Sequence, residues 1–379
     1  MPRRRPSPEQ LEEHDDSPPG SIDGLNPEDP GVRLLGRELA SVDPHELLLV
    51  HCGDLPGLQA GATRLVLDVR ELIGSAHRCV PDVGARSPIE ASGFAAAALW
   101  PRAHLGKDFS ERGLAIATLA LREGGRVLCA VRKQKGGKSL ARTMKALLGE
   151  ANVQVIERER GYHLWVGTRG PDCDLALAEE LRARSYEFEV AAGLGEPLRL
   201  LGRPGVFSRR GLDAGTQALL AVLAAVADAD DRARLAPPRR VIDLCAGLGP
   251  LGLSAARRWP TARVLAVESN LRAGALIREN AERNGLATRV EVIEHDGMPS
   301  GAGESFRGAD LALLNPPTHA DPHTLTRLLD LRGWLGPGGR LLVVVNRPHP
   351  TVDILQEQLG AVVRGGERDG YFVLEARWS

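Results

Sequence analysis

Short β-rich runs of apolar residues alternate with longer helical stretches along most of this chain. The first series starts near Glu46 and comprises ELLLV, RLVLDV and RVLCAV. The second begins near Arg240 and comprises RRVIDLC, ARVLAVE, RVEVIEHD, ADLALLN and RLLVVVN. Alternating strands and helices are typical of a parallel sheet covered by helices on its faces. The pattern therefore predicts two α/β domains in tandem.

The N-terminal stretch has almost no apolar residues. Residues 1–30 are rich in Pro, Ser, Asp and Glu, and such a segment buries too little apolar surface to offset the entropy of ordering it. We expect a disordered tail over residues 1–30. A first α/β domain should follow over 31–170, then a linker over 171–198 and a second α/β domain over 199–379.

The two series contain an internal repeat. Residues 121–149, LREGGRVLCAVRKQKGGKSLARTMKALLG, match residues 335–360, LGPGGRLLVVVNRPHPTVDILQEQLG. Both stretches have a Gly-Gly-Arg turn, an apolar strand, a polar loop and a helix ending in Leu-Gly. Upstream, LWPRAH (99–104) corresponds to LNPPTH (314–319), and downstream GYHLWV (161–166) corresponds to GYFVLE (370–375). Three matches in the same order at a nearly constant offset indicate a duplication.

Charge and cysteine usage narrow the class of protein. The 48 basic and 49 acidic residues give a net charge of −1, so nucleic-acid binding would have to come from local patches. The five cysteines are scattered and form neither a disulfide framework nor a zinc-type CxxC pair. The sequence has neither an apolar run of about 18 residues that could span a bilayer nor the apolar region of a secretory signal. We expect a soluble cytoplasmic protein without membrane association.

A glycine loop lies at the start of the second series. Residues 241–252, VIDLCAGLGPLG, indicate a strand containing Asp243, a loop with Gly247 and Gly249, and a helix that begins at Pro250. Glycines let the backbone approach a ligand at a helix N-terminus, where free N–H groups favour a carboxylate or phosphate. With Gly252, this spacing would also suit a dinucleotide.

Acidic residues follow the next two strands. Glu268 comes 25 residues after Asp243, where a carboxylate can hold ribose hydroxyls. A third strand ends at His295-Asp296. Each feature alone is weak, but their joint order predicts a site for a nucleoside-containing cofactor at the carboxyl edge of the second sheet.

Asn315-Pro316-Pro317 directly follows the predicted strand 309–314. Neither proline can donate a ladder hydrogen bond, so the chain must leave the sheet there. We expect the Asn315 side-chain oxygen and the Pro316 carbonyl to face the crevice at the strand ends, where ligands bind in open α/β sheets. Two acceptors on a rigid turn can hold an exocyclic amine by its hydrogens and aim its lone pair at an electrophile.

With these motifs the chain resembles the class I S-adenosylmethionine-dependent methyltransferases with an NPPF/Y-type motif. Within them it resembles the ribosomal RNA guanine-N2 methyltransferases of small subunit methyltransferase C type, since residues 203–216, RPGVFSRRGLDAGT, are similar to that family's PGVFSxxGLDxGS segment. The resemblance implies two tandem Rossmann-like methyltransferase domains, of which the N-terminal one is degenerate and lacks the cofactor. It also implies S-adenosylmethionine as the cofactor of the C-terminal domain.

The resemblance also assigns site residues. The catalytic set would be Asn315, Pro316 and Pro317. The cofactor-binding set would be Asp243, Cys245, Gly247, Gly249, Glu268, Asp296 and Thr216. Cys245 replaces the family's first loop glycine, and we expect it to keep a negative φ. Thr318 replaces the aromatic residue that follows Asn-Pro-Pro, so we expect His319 or Phe207 to contact the target base in its place.

A basic segment lies in the first domain. Six cations fall within 14 residues: Arg132, Lys133, Lys135, Lys138, Arg142 and Lys145. Such a run can be a solvated helix face, but in a domain without cofactor motifs we interpret it as an RNA contact, with Arg132, Lys133, Lys135 and Lys138 as its substrate-binding residues. The histidines form no i, i+4 metal pair, and we expect no metal.

We interpret the chain as an enzyme that methylates a guanine exocyclic amine (N2) in ribosomal RNA, 16S rather than 23S, with the RNA or ribosomal subunit as partner. Three alternatives stay open. A protein glutamine N5-methyltransferase would use the same Asn-Pro-Pro, and a nucleotide-dependent oxidoreductase would use the glycine loop but leaves Asn-Pro-Pro unexplained. An RNA-binding protein with weakened catalysis would account for Thr318.

Overall fold

The computed structural model describes residues 25–84, 89, 93–132 and 136–378. The first domain contains helices α1 (Pro30–Leu39), α2 (Lys107–Ala120), α3 (Lys138–Leu148) and α4 (Leu175–Ala183). Its strands are β1 (Leu47–Val50), β2 (Thr63–Val66), β3 (Arg78–Pro81), β4 (Phe94–Leu99), β5 (Leu121–Arg132), β6 (Val153–Glu159) and β7 (Tyr162–Thr168). They form one sheet in the order β3-β2-β1-β4-β5-β7-β6, in which β7 runs antiparallel to both its neighbours.

The second domain repeats this plan. A hairpin of β8 (Tyr186–Val190) and β9 (Leu198–Gly202) precedes helices α5 (Ala214–Arg232), α6 (Pro250–Arg258), α7 (Leu271–Arg283), α8 (Pro322–Leu329) and α9 (Pro348–Asp353). The strands are β10 (Arg240–Leu244), β11 (Arg263–Glu268), β12 (Val290–Glu294), β13 (Ala309–Leu314), β14 (Leu335–Val345), β15 (Val362–Arg368) and β16 (Tyr371–Arg377). Their order is β12-β11-β10-β13-β14-β16-β15. Buried aliphatic residues on both faces of each sheet form the cores.

Strand order and register confirm the predicted pair of tandem α/β domains. Leu314 pairs with Leu244 in the second sheet as Leu99 pairs with Val50 in the first. Both sheets carry an irregularity at the start of the corresponding strand pair, β4 with β5 and β13 with β14. The shared register places Trp100 of the first domain at the position of Asn315. It likewise places the buried Val66 where the second domain has Glu268. At these two positions the first sheet therefore lacks the side chains that mark the second as a cofactor site.

Two expected boundaries were wrong. Residues 171–198 are not a linker, because α4 contributes Ala178 and Leu181 to the core of the first domain and Val190 of β8 joins the core of the second. The domains meet between α4 and β8. The expected tail, 1–30, extended too far: Leu25 is buried in the first core, and Asp29 caps α1 by accepting from the Gly31 N–H at 2.7 Å. The rest of that expectation, residues 1–24, lies outside the described residues.

The carboxyl edges of the two sheets meet. The Val69 N–H donates to the Ser269 carbonyl at 2.9 Å, and the Leu271 N–H donates to the Leu67 carbonyl at 2.8 Å. These bonds join the segment after β2 to the segment after β11, and Ser269 Oγ adds a hydrogen bond to Asp68 at 3.0 Å. The domains are thus tied at the edge where α/β folds bind ligands.

A buried ionic cluster fills the carboxyl edge of the first sheet, the edge where α/β folds bind ligands. Asp82, directly after β3, accepts from Arg112 of α2 at 2.9 Å, and its backbone carbonyl accepts from Nε of Arg272 of α7 at 3.1 Å. Arg272 also pairs with the Asp82 carboxylate, and His51 Nε2 lies 3.1 Å from it. All four side chains are buried. Despite its burial the two guanidinium groups hold the pKa of Asp82 well below its usual range, while burial lowers the pKa of His51 to about 4. An arginine from the second domain therefore occupies the edge of the first.

Within the described ranges, no helix is long and apolar enough to cross a bilayer.

Candidate active site

A cleft opens at the carboxyl edge of the second sheet, between the end of β10, the end of β13 and the segment that precedes α5. Its lining includes Phe207, Asp213, Thr216, Cys245, Gly247 and Asn315. The cleft thus brings together residues from all three motifs that the sequence singled out: the segment 203–216, the glycine loop and Asn-Pro-Pro.

The glycine loop folds as predicted between β10 and α6. Gly247 and Gly249 have φ of +58° and +81°, which glycine adopts without strain. Gly249 is the N-cap of α6 and Pro250 the first helical residue. The Gly252 N–H donates to Asp243 Oδ2 at 2.7 Å. This bond fixes the start of α6 against β10, so the first turn of the helix faces the cleft.

Gly252 has no room for a side chain. A Cβ at this position would lie 2.8 Å from Asp243 Oδ2 and 2.9 Å from Val264 Cγ1. We expect Gly252→Ala to lower the free energy of unfolding by about 1–3 kcal/mol, the usual cost of overpacking. Gly366→Ala is the matched control, since a Cβ there meets nothing within 4 Å. Urea unfolding of the two variants measures the difference, and equal midpoints would contradict this packing.

The backbone of Cys245 differs from the expectation. Its φ is +58°, so the prediction of a negative φ was wrong. His51, at the matching position after β1, has φ +52°, which shows that the turn after the first strand requires a left-handed residue in both domains. A left-handed non-glycine residue costs roughly 1–2 kcal/mol. Burial raises the pKa of the Cys245 thiol, so it remains protonated and is no nucleophile.

Two carboxylates accept hydrogen bonds from the glycine loop and from the first turn of α6. Glu268 accepts from the Gly247 N–H at 2.8 Å and from the Asn270 N–H at 2.9 Å, and burial, together with Asp68 across the domain boundary, raises its pKa. Asp243 is fully buried, and its Oδ1 has no hydrogen-bond partner among the described residues. Burial raises the pKa of Asp243 to about 8. Asp243 is fully buried and Glu268 partly buried, and neither forms an ion pair within the described part of the chain, which suits a positively charged ligand. This fits S-adenosylmethionine, a sulfonium that also carries an ammonium group.

Asp243 should make stability depend on pH. Its pKa is about 8 in the fold against an ordinary value of 3.8, so between these values the folded protein holds a proton that the unfolded chain has lost. The free energy of unfolding without ligand should therefore fall as pH rises from about 4 to 8. Asp243→Asn should flatten this decline, and urea midpoints across that pH range measure it. An identical pH profile for the variant would show that Asp243 is ionised in the fold.

Asp296 lies at the same edge, after β12, but its carboxylate pairs with Arg327 of α8 at 2.9 Å. Arg327 also donates to the Asp296 backbone carbonyl. The role of Asp296 in cofactor binding stays a prediction, and the ion pair ties its carboxylate to α8.

Asn315 is held in one orientation. Its Nδ2 donates to Thr216 Oγ1 at 2.9 Å and lies 3.2 Å from Asp213 Oδ1. The Thr216 hydroxyl in turn donates to Asp213 Oδ2 at 2.6 Å, and Asp213 caps α5 by accepting from the Thr216 N–H at 2.9 Å. Because the amide nitrogen is used this way, the Asn315 Oδ1 faces away from the network, and no described residue donates to it.

Asp213 is the residue that the sequence interpretation missed. The sequence offered a local signal, since an Asp three residues before a Thr at a helix start is a capping pattern. That pattern reveals the cap but not its contact with Asn315. Thr216 lines the cleft and orients Asn315 through its hydroxyl, and its predicted role in cofactor binding stays a prediction.

The segment after Asn315 is a tight exposed turn, in which the Pro317 carbonyl accepts from the Ala320 N–H at 3.1 Å. Thr318 and His319 are exposed on this turn. Phe207 lines the cleft itself and leaves 65% of its surface exposed. Of the two residues expected to contact the target base, Phe207 is therefore the one that shares the cleft with Asn315.

The predicted basic segment is only partly described. Arg132 ends β5, with its guanidinium 5.0 Å from the Tyr162 ring centroid and 3.7 Å from Asp29. Lys138 begins α3. Lys133 and Lys135 lie outside the described residues. RNA binding by this segment stays a prediction.

Fold and site together define a class I S-adenosylmethionine-dependent methyltransferase. Residues 197–375 match the family model of the methyltransferase small domain. Ribosomal RNA small subunit methyltransferase C of Pseudomonas fluorescens is 30% identical over 68% of this chain and 73% of its own. The enzyme of the same name from Pseudomonas syringae is 28% identical over 78% of this chain and 82% of its own.

The solved structures agree. A T. thermophilus 16S rRNA N2 methyltransferase in complex with AdoMet and guanosine superposes with a TM-score of 0.73 at 26% identity, covering 92% of both chains. The present chain belongs to the ribosomal RNA small subunit methyltransferase C family.

Proposed function

We propose that this protein transfers the methyl group of S-adenosylmethionine to the exocyclic N2 amine of a guanine in 16S ribosomal RNA, in the cytoplasm. The oriented Asn315 is the observation that carries the proposal. An amide oxygen aimed into the cleft, with its nitrogen already bonded, is an acceptor suited to an NH₂ group. The solved relative, named for 16S rRNA N2 methylation, supports the guanine assignment and the 16S subunit.

Different residues of this chain would bind different parts of the cofactor. Gly247, Gly249 and the α6 N-terminus would hold the cofactor's carboxylate, and Glu268 its ribose. Asp243 and Asp296 would complete that wall. When bound, the cofactor supplies an electrophilic sulfonium methyl. Burial raises the pKa values of Asp243 and Glu268 without ligand, and a bound cation would lower them and so favour the ionised carboxylates.

Asn315 would then orient the amine. The lone pair of a guanine amine is delocalised into the ring. A hydrogen bond from the amine N–H to Asn315 Oδ1 would therefore favour the geometry in which that lone pair faces the methyl group. The carbonyl of Pro316 is proposed to accept the second hydrogen, with Pro317 keeping the turn rigid. Catalysis of this kind depends on positioning more than on a strong base. The nucleotide must leave any stack to reach the cleft.

Phe207 is proposed to supply the stacking surface that Thr318 cannot. Phe207→Ala should raise KM for RNA by an amount corresponding to roughly 1–3 kcal/mol, the usual value of base–aromatic stacking. Phe207→Trp should retain most of the affinity. Leu235→Ala is the control, since Leu235 is 59% exposed and lies outside the cleft. A KM for Phe207→Ala equal to that of the control would assign the base contact to another residue such as His319.

The direct biochemical test uses purified protein, labelled S-adenosylmethionine, 16S and 23S rRNA, and the assembled small subunit. Nucleoside mass spectrometry should find N2-methylguanosine in 16S rRNA or in the subunit. Label in 23S rRNA alone, or in glutamine of a ribosomal protein, would contradict the proposal. The glutamine outcome would favour the alternative chemistry that Asn-Pro-Pro also permits.

A further inference from the structure

A second cleft lies between the two domains, beside the candidate active site. It is formed by the N-terminus of α2, the segment after α4 and residues 208–211, and its volume is about 490 Å³. That is the size range of small-ligand sites. Its charged lining, within the described residues, consists of Lys107, Asp108, Glu111, Arg184, Arg209 and Arg210.

The lining has more positive than negative charge. Asp108 forms ion pairs with two arginines: Arg209 Nη2 lies 2.6 Å from Oδ1, and Arg210 Nη2 lies 3.6 Å from Oδ2. Glu111 likewise forms ion pairs with Lys107 and Arg184, each at 3.0 Å. These four cations against two carboxylates leave a formal excess of two positive charges in a cleft open to solvent. The single negative charge of a phosphate diester would offset half of this excess.

Lys107 and Arg210 are not needed to tie the domains together. Arg209 alone makes a two-point contact with Asp108, with Nε at 2.7 Å from Oδ2. Glu111 has Arg184 as its second cation. The side chains of Lys107 and Arg210 are 62% and 64% exposed, and exposed pairs contribute about 0–1 kcal/mol. Their charge is therefore available to a ligand.

Arg210 also forms a planar surface. Its guanidinium lies 4.4 Å from the Tyr186 ring centroid and donates to the Tyr186 hydroxyl at 2.9 Å, while that hydroxyl donates to Asp108 at 2.8 Å. The pair is thus fixed as a stack. Unpaired bases bind to arginine planes and aromatic rings in this way.

The two clefts are adjacent. Ser208 lines both of them, and Phe207 precedes it at the edge of the active site. Because the clefts share Ser208, a polynucleotide with one base beside Asn315 would bring a neighbouring nucleotide toward residues 208–211. The cleft is therefore on the path of the strand.

We propose that the interdomain cleft binds the unpaired nucleotide adjacent to the target guanosine, its phosphate held by Lys107 and Arg210 and its base against the Arg210–Tyr186 stack. This assignment rests on the proposed function and extends it, because it makes the substrate single-stranded at the modified site. It also gives the first domain a role in substrate binding through α2, separate from the basic segment after β5.

The test compares the full-length double variant Lys107→Gln/Arg210→Gln with a control, Arg232→Gln/Arg239→Gln. The control removes two exposed charges near the amino end of β10, at the opposite edge of the sheet. Binding of a short single-stranded RNA is measured by fluorescence anisotropy over a series of salt concentrations. The cleft variant should bind several-fold more weakly, and its log–log salt slope should fall in magnitude by about 0.7, the value for one lost phosphate contact on a single strand.

S-adenosylmethionine affinity and the thermal midpoint should match those of the control. A wild-type salt slope in the cleft variant would overturn the proposal, as would an equal loss in the control. A fall in the thermal midpoint together with the change in salt slope would also overturn it, since Lys107 and Arg210 would then stabilise the fold. If the double variant fails to fold, the single variant Lys107→Gln repeats the test. If the wild-type protein methylates no ribosomal RNA but the cleft variant shows the expected change in salt slope, the proposed function fails and the cleft assignment stands.

Discussion

Asn315→Ala is expected to lose at least about 100-fold in turnover, the scale of misplacing a reacting group, with S-adenosylmethionine affinity changed no more than a few-fold. The variant removes the acceptor for the target amine but leaves both prolines to hold the turn. It also leaves Thr216 and Asp213 bonded to each other at 2.6 Å. Since the lost interaction acts on alignment, kcat should fall more than KM rises.

Two further variants sharpen this prediction. Asn315→Asp keeps an acceptor but places a carboxylate against Asp213, 3.2 Å from the present amide nitrogen, so it should also be nearly inactive. Asn346→Ala is the control, because Asn346 is exposed just after β14, the neighbouring strand. Steady-state and single-turnover kinetics on 16S rRNA separate the effects. Near-normal turnover of Asn315→Ala would remove the orientation mechanism.

Arg272→Met is expected to destabilise the fold strongly. The substitution leaves the buried Asp82 carboxylate paired with Arg112 but not with Arg272. Removing one partner of a buried ion pair typically costs about 3–5 kcal/mol. The substitution also removes the donor to the Pro204 carbonyl, which supports the segment carrying Phe207. Urea unfolding should show the loss of stability as a lower midpoint. The two domains should also separate at a lower urea concentration than in the wild-type protein.

Arg278→Met provides the matched control on the same helix. Arg278 pairs with Glu294, but its side chain is 46% exposed, so its loss should cost about 0–1 kcal/mol. Asp82→Asn tests the cluster from the other side, since it leaves both arginines without their charge partner. If Arg272→Met is no more destabilising than Arg278→Met, the cluster does not hold the domains together.

The features that sequence predicted well are those that depend on local pattern. The strand 309–314 was placed at its observed bounds, because an apolar run ending in two prolines fixes where the ladder stops. The glycine loop was placed correctly for a similar reason, since its glycines and Pro250 mark a strand-to-helix turn. The duplication was visible because the two halves kept their turn residues in register.

The features that sequence did not predict depend on contacts between distant segments. Asn315 and Asp213 are 102 positions apart and Arg272 and Asp82 are 190 apart, and no local pattern links such pairs. The linker prediction failed for another reason: α4 has nine residues and β8 five, so both are short enough to resemble a connecting segment. The φ of Cys245 is dictated by the turn rather than by the residue, as His51 shows.

Nucleoside mass spectrometry of 16S rRNA from a strain lacking this gene tests the central claim most directly. The assignment predicts that N2-methylguanosine disappears from one position, returns when wild-type protein is supplied and does not return with Asn315→Ala made to the same level. An unchanged content of N2-methylguanosine in 16S rRNA from the deletion strain would contradict the assignment.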